Sequence, residues 1–130
     1  MPGDLILVIE DDELSRKLFR DLLRLEGYVT IETSTAEEGL ELARQRLPSL
    51  ILLDIRLPDM DGVTALQQLR RMPETRRLPV IAVTASVMPV ERSQVISAGF
   101  DGFLVKPLDI DGLIEEVRST LAGKGSGKAG

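Results

Sequence analysis

The chain has 130 residues, 43% hydrophobic and 28% charged, a net charge of -5, and neither cysteine nor histidine. That is the balance of one globular domain with room for a real core, and it excludes disulfides, thiolate or imidazole metal sites, histidine-based triads and a phosphohistidine of the chain's own. The acidic balance leaves no electrostatic footprint for nucleic acid, no apolar run nears the ~20 residues that span a bilayer, and no signal-peptide pattern opens the chain. The expectation is a cytoplasmic protein with no nucleic-acid or membrane partner.

Leu5–Ile9 (LILVI) reads as a buried strand. A helix from Glu13 to about Leu25 follows, with Leu14, Leu18, Leu22 and Leu25 on one face, and Gly27 ends it. Tyr28–Glu32 (YVTIE) alternates and is β-branched, as a half-buried strand near a sheet edge does. Thr35 and Glu38 form a capping-box pattern that opens a second helix with Ala36, Leu40, Ala43 and Leu47 inward. Ser49–Asp54 (SLILLD) is apolar without alternation, the mark of a central parallel strand covered on both faces. Val63, Leu66, Leu69 and Met72 trace a third helix, and Pro79–Ala85 (PVIAVTA) is another doubly buried strand. A fourth helix from about Val90 to Ala98 ends at Gly99, and Gly102–Val105 (GFLV) is a fifth strand. Asp109 caps a fifth helix reaching about Leu121. The domain is expected over residues 1–121, with the Gly/Lys-rich segment 122–130 as a flexible tail or linker stub.

Five strands, each followed by a helix, predict an α/β fold: a doubly wound, five-stranded parallel sheet. Such sheets bind ligands outside the carboxyl ends of their strands. Those ends carry Glu10 and Asp11 on the first strand, Asp54 on the third, Thr84 on the fourth and Lys106 on the fifth, while the second offers only Glu32 and Thr33. Clustered carboxylates are either partly protonated or neutralised by a cation. An all-oxygen set favours Mg²⁺, and a lysine and a threonine beside it suit phosphoryl oxygens. Taken singly, Asp54 is explained as a loop cap, Thr84 as a strand former and Lys106 as a solvated charge; Asp12 and Glu13 are accounted for by the start of a helix. The joint placement on four strand ends points to a site.

The ordered set resembles a response-regulator receiver domain, the phosphorylatable switch of two-component signalling. It comprises the acidic pair Glu10–Asp11, the apolar strand closing on Asp54, Leu57–Gly62 (LPDMDG), Val83–Ala85 (VTA) and Lys106–Pro107, and the match runs from about Leu5 to Leu121. The resemblance implies a flavodoxin-like (βα)5 sheet with strand order 2-1-3-4-5 and a cis Lys106–Pro107 peptide. It makes Asp54 the phosphoacceptor. Mg²⁺ would be held by Asp11, Asp54 and the Arg56 carbonyl, with Glu10 acting through a water. Lys106 and Thr84 would contact the phosphoryl group, and Thr84 with Phe103 would switch the face formed by the fourth helix, fifth strand and fifth helix. That face would control a downstream protein target and is also a candidate homodimer contact.

The implied donor is a histidine kinase or histidine phosphotransfer protein, with Leu14, Ser15 and Leu18 as part of its docking surface. The domain is then not an enzyme in the ordinary sense, but a signalling phosphoprotein that catalyses its own phosphotransfer and slow dephosphorylation. Arg56 and Ser86 occupy positions that tune acyl-phosphate lifetime in the family; a long cation at 56 and no carboxylate at 86 imply a long-lived phosphorylated state. Two alternatives stand beside this reading. One is an unphosphorylated binding module. The other is an aspartyl-phosphate phosphohydrolase, disfavoured because Arg56 stands where that pattern wants a second aspartate.

Overall fold

Each strand hands the chain to a helix and takes it back in a computed structural model that describes residues 3–85, 89–107 and 109–129. In chain order the elements are β1 (Leu5–Ile9), α1 (Glu13–Leu25), β2 (Val29–Thr33), α2 (Ala36–Arg46), β3 (Leu50–Asp54), α3 (Gly62–Arg71), β4 (Val80–Thr84), α4 (Pro89–Ala98), β5 (Gly102–Val105) and α5 (Ile110–Ala129). The strands form one parallel sheet in the order β2-β1-β3-β4-β5. The fold class is the one the alternation of strands and helices predicts, and the strand order is the one the family resemblance implies. The Lys106–Pro107 peptide is cis, as the family resemblance implies.

Successive residues of a central strand point to opposite faces, so an unbroken apolar run feeds two cores. Ile6, Val8, Leu50, Leu52, Ile81 and Val83 pack under Phe19, Leu23, Leu113 and Val117 from α1 and α5. Leu7, Ile9, Ile51, Leu53 and Val80 pack on the other face under Ala36, Leu40, Ala43, Leu66 and Leu69 from α2 and α3. The sheet is therefore covered on both sides, and open only at its ends.

The helices correct the sequence reading in three places. In α1 the buried residues are Phe19 and Leu23, with Leu22 packed against their core, whereas Leu14, Leu18 and Leu25 are 78%, 43% and 81% exposed. A helix with more apolar residues than its core stripe needs offers two candidate faces, and leucine spacing alone cannot choose between them. Leu47 caps α2 with a left-handed φ of 48° and stands exposed instead of facing inward. The Thr35 hydroxyl accepts the Glu38 N–H at 3.3 Å, but the Glu38 carboxylate takes the Thr33 hydroxyl, so the capping box closes in one direction only.

The fourth helix starts at Pro89, a residue suited to a first turn. The fifth continues past Leu121 to Ala129. Gly123, Gly125 and Gly127, each about 1 kcal/mol less helix-favouring than alanine, are the reason the sequence predicts a tail there. Among the described residues, no helix is long and apolar enough to cross a membrane.

Candidate functional site

At the carboxyl edge of the sheet, the end of β1 and the end of β3 converge. Glu10 leaves β1 with its N–H bonded to the Thr33 carbonyl at 3.0 Å, and its side chain is only 1% exposed. Asp54, the last residue of β3, is buried and pairs in register with Val83 of β4. Asp11 is exposed in the turn between β1 and α1. Carboxylate oxygens of Glu10, Asp11 and Asp54 all lie within 4.8 Å of one another.

Lys106, just beyond β5, reaches over this cluster. Its Nζ donates to Glu10 Oε2 at 3.0 Å and to Asp54 Oδ2 at 3.4 Å. It also stands 2.9 Å from Glu10 Oε1. The directed bond goes to Oε2, so Oε1 feels the ammonium charge yet accepts no hydrogen bond among the described residues. Burial, the adjoining Asp54 carboxyl and its charge push the Glu10 pKa up to about 7, against the pull of Lys106 and the Asp12 N–H. Burial would lower Lys106, but the bond to Glu10 and the charges of Asp54 and Glu10 outweigh it and the net shift is upward. One ammonium thus shields the two buried carboxylates it touches incompletely, and the mismatch shows as the raised Glu10 pKa.

A hard divalent cation fits this donor set. The ligands are all oxygen, one buried oxygen lacks a donor, and a cation would supply the missing charge.

The loop after Asp54 is fixed from three sides. Arg56 N–H donates to Asp54 Oδ1 at 2.8 Å, and Arg56 bridges Asp61 in a short antiparallel pairing. Asp61 caps α3, accepting from the Thr64 N–H at 2.9 Å and the Thr64 hydroxyl at 3.1 Å. Asp59 accepts the N–H groups of Ala36 and Glu37, both at 3.0 Å, which ties the loop to the first turn of α2 and holds its carboxyl below the ordinary range. From sequence this segment is a landmark without a job. The Asp61–Gly62 pair ahead of an apolar periodic run signals the α3 cap, but nothing local could have revealed the Asp59 bridge to α2.

Thr84 is buried at the end of β4 and pairs in register with Val105. Strand alternation puts Phe103 on the same sheet face as Val105 and Thr84. The Phe103 N–H donates to Glu116 Oε2 on α5 at 3.1 Å. Arg56 is exposed at the rim, and Ser86 lies outside the described residues. Beside the acidic cluster a groove of about 470 Å³ is lined by Asp12, Leu14, Ser15, Leu18, Lys106 and Pro107.

A model of the response regulator receiver domain matches residues 6–118. The chain belongs to that receiver family. The polar-differentiation response regulator DivK of Brucella ovis is 40% identical to this receiver over 116 residues, covering 89% of this chain and 94% of its own. A putative response regulator from Chloroflexus aurantiacus superposes with a TM-score of 0.88 at 28% identity, over 92% of this chain and 98% of its own. The receiver domain of sensor histidine kinase PA1611 from Pseudomonas aeruginosa, with a magnesium ion coordinated in its active-site cleft, superposes with a TM-score of 0.85 at 28% identity, over 92% of this chain and 98% of its own.

Proposed function

We propose that this receiver is the phosphoacceptor switch of a two-component phosphorelay, phosphorylated on Asp54 by the phosphohistidine of a partner protein. The observation that carries the reading is the convergence of the Glu10, Asp11 and Asp54 carboxylates within 4.8 Å, with Lys106 Nζ 3.4 Å from Asp54. An Asp54 carboxylate oxygen attacks phosphorus, an O–P bond forms, and the P–N bond to the donor imidazole breaks with its electron pair leaving on nitrogen. The loose transition state spreads charge over the phosphoryl oxygens and needs positioning and cations more than a base. The Arg56 N–H orients Asp54 by holding Oδ1. Lys106 turns from the carboxylates toward a phosphoryl oxygen. Mg²⁺, when bound, would offset the developing negative charge, with Asp11, Asp54 and the Arg56 carbonyl as direct ligands and Glu10 acting through water.

Once the phosphoryl group is in place, the Thr84 hydroxyl donates to it and frees space on the face that Phe103 shares. This biases the α4–β5–α5 surface, where Ile96 and Ile110 are exposed, toward a protein target. The groove lined by Leu14, Ser15 and Leu18 beside Lys106 supports docking of the phosphodonor there. Arg56, exposed at the rim, holds or shields the acyl phosphate and lengthens its life. The protein acts in the cytoplasm.

Incubation with Mg²⁺ and acetyl phosphate tests the reading. Wild type is expected to gain one phosphoryl group that the Asp54→Asn variant does not. No modification would favour a binding module, and turnover of many equivalents would favour a hydrolase.

A further inference from the structure

The acidic turn between β1 and α1 places Asp11, yet the Asp11 side chain makes no hydrogen bond among the described residues. Its position is set through its backbone: on one side the Asp12 N–H donates to Glu10 Oε2 at 3.1 Å and Asp12 Oδ2 accepts the Ser15 N–H at 2.9 Å, and on the other the Glu10 carbonyl is held by a side chain of α1. Arg16 Nη1 donates to the Glu10 carbonyl at 2.9 Å. The Arg16 N–H donates to the Asp12 carbonyl at 2.9 Å. The carbonyls of Glu10 and Asp12, the residues on either side of Asp11, thus both end on Arg16; the bond to Asp12 is the helix's own i→i−4 bond, and the bond to Glu10 is the one that depends on the arginine side chain.

The guanidinium is itself anchored. Arg16 Nε stands 3.8 Å from Glu32 Oε1 at the end of β2, and Arg20 Nη1 stands 3.8 Å from the other oxygen of Glu32. Both partners are only 22% and 23% exposed, so the side chain is laid against the sheet end and does not sweep through solvent. A planar guanidinium suits this task, because one edge can bond a carbonyl while another faces a carboxylate.

We propose that Arg16 is a positioning residue for the divalent-cation site: it clamps the Glu10–Asp12 turn so that Asp11 meets Asp54. The inference rests on the divalent-ion reading of the site given above. Charge and position make opposite demands here. Arg16 is a cation near a cation site, so its charge alone weakens Mg²⁺ binding. Its clamp alone strengthens binding, because Asp11 need not be ordered when the ion arrives. The clamp is a charge-assisted hydrogen bond in a partly buried setting, whereas the repulsion acts across a solvated rim and is screened. The clamp therefore dominates.

The sign of the effect is the test. Mg²⁺ affinity is measured by titration calorimetry at fixed pH and ionic strength on wild type, Arg16→Met, Arg16→Lys and Arg20→Met, alongside the metal-free urea midpoint of each. Arg20→Met removes the same charge from the same Glu32 partner and leaves the clamp intact. Arg16→Met is expected to bind Mg²⁺ about tenfold more weakly, and Arg16→Lys to recover part of the loss. Arg20→Met is expected to bind as wild type or slightly tighter. Equal or tighter binding by Arg16→Met would overturn the proposal, as would weakening of the same size in Arg20→Met. If Arg16→Met does not fold, the Arg16→Lys and Arg20→Met pair decides by the same criteria. A wild type that does not bind Mg²⁺ overturns the divalent-ion reading itself, an outcome separate from a wild type that binds and variants that match it.

Discussion

Replacing Gly62 with alanine is expected to lower the urea unfolding midpoint by the equivalent of about 2 kcal/mol and to weaken Mg²⁺ binding with it. Helix propensity predicts the opposite sign, since alanine is favoured over glycine by up to about 1 kcal/mol inside a helix. Space decides against propensity. A Cβ on Gly62 would lie 2.6 Å from the Ile55 Cα, 2.8 Å from its Cγ2 and 2.9 Å from its Cβ. The nearest atom is backbone, and that backbone lies between Asp54 and Arg56. The Gly62 N–H also bonds the Ile55 carbonyl at 2.9 Å, so the start of α3 and the residue after Asp54 are pressed together and cannot part without moving the site. Gly39 is the control. Its added Cβ would meet Ile9 Cδ1 at 2.4 Å and Cγ1 at 2.7 Å, side-chain atoms of a buried residue with no backbone among them. Gly39→Ala is expected to lose stability as well, through repacking of Ile9, but to weaken Mg²⁺ binding less than Gly62→Ala. Equal losses of Mg²⁺ affinity in both variants would show that the Gly62 contact does not shape the site.

The Glu10→Gln variant is expected to be more stable than wild type at pH 8 without metal, by on the order of 2 kcal/mol. The folded Glu10 pKa is about 7, above the ordinary 4.5. Between those two values the native state keeps a proton that the unfolded chain releases. The stabilisation is therefore fully present below about pH 4.5 and is lost as pH rises through about 7. Above that, wild type holds two buried carboxylates against one ammonium. Glutamine keeps the shape without the charge, so its metal-free stability should stay flat over the same window in this respect. Added Mg²⁺ should raise the wild-type thermal midpoint at pH 8 more than that of Glu10→Gln, closing or reversing the gap. Thermal unfolding from pH 5 to pH 8, with and without the ion, is the measurement. Parallel curves for the two proteins would contradict the account.

What was legible from residues alone was whatever depends on a period and an ending. The runs LILVI, SLILLD and PVIAVTA do not alternate because each feeds two cores, and a polar residue (Glu10, Asp54, Thr84) stands at or next to the end of each because the sheet edge is open there. With GFLV running into Lys106, the same pattern brings Glu10, Asp11, Asp54, Thr84 and Lys106 to one edge of a parallel sheet, and the three carboxylates and Lys106 stand in contact range there. What was not legible depends on which of two apolar faces packs, or on contacts between segments far apart in the chain. Leu14 and Leu18 looked inward by spacing, and only the burial of Phe19 and Leu23 turns them out toward the groove. Asp59 belongs to a loop by its sequence and to the start of α2 by its bonds. Arg16 looks like one of many solvated helix charges until its reach to the Glu10 carbonyl is seen.

Chemical location of the phosphoryl group on the chain tests the central claim most directly. After reaction with acetyl phosphate and Mg²⁺, borohydride reduction converts an aspartyl phosphate to homoserine, which peptide mass spectrometry can place. The account predicts homoserine at position 54 and nowhere else. Homoserine at Asp11, or a phosphoryl adduct that resists reduction and maps to a hydroxyl residue, would contradict it.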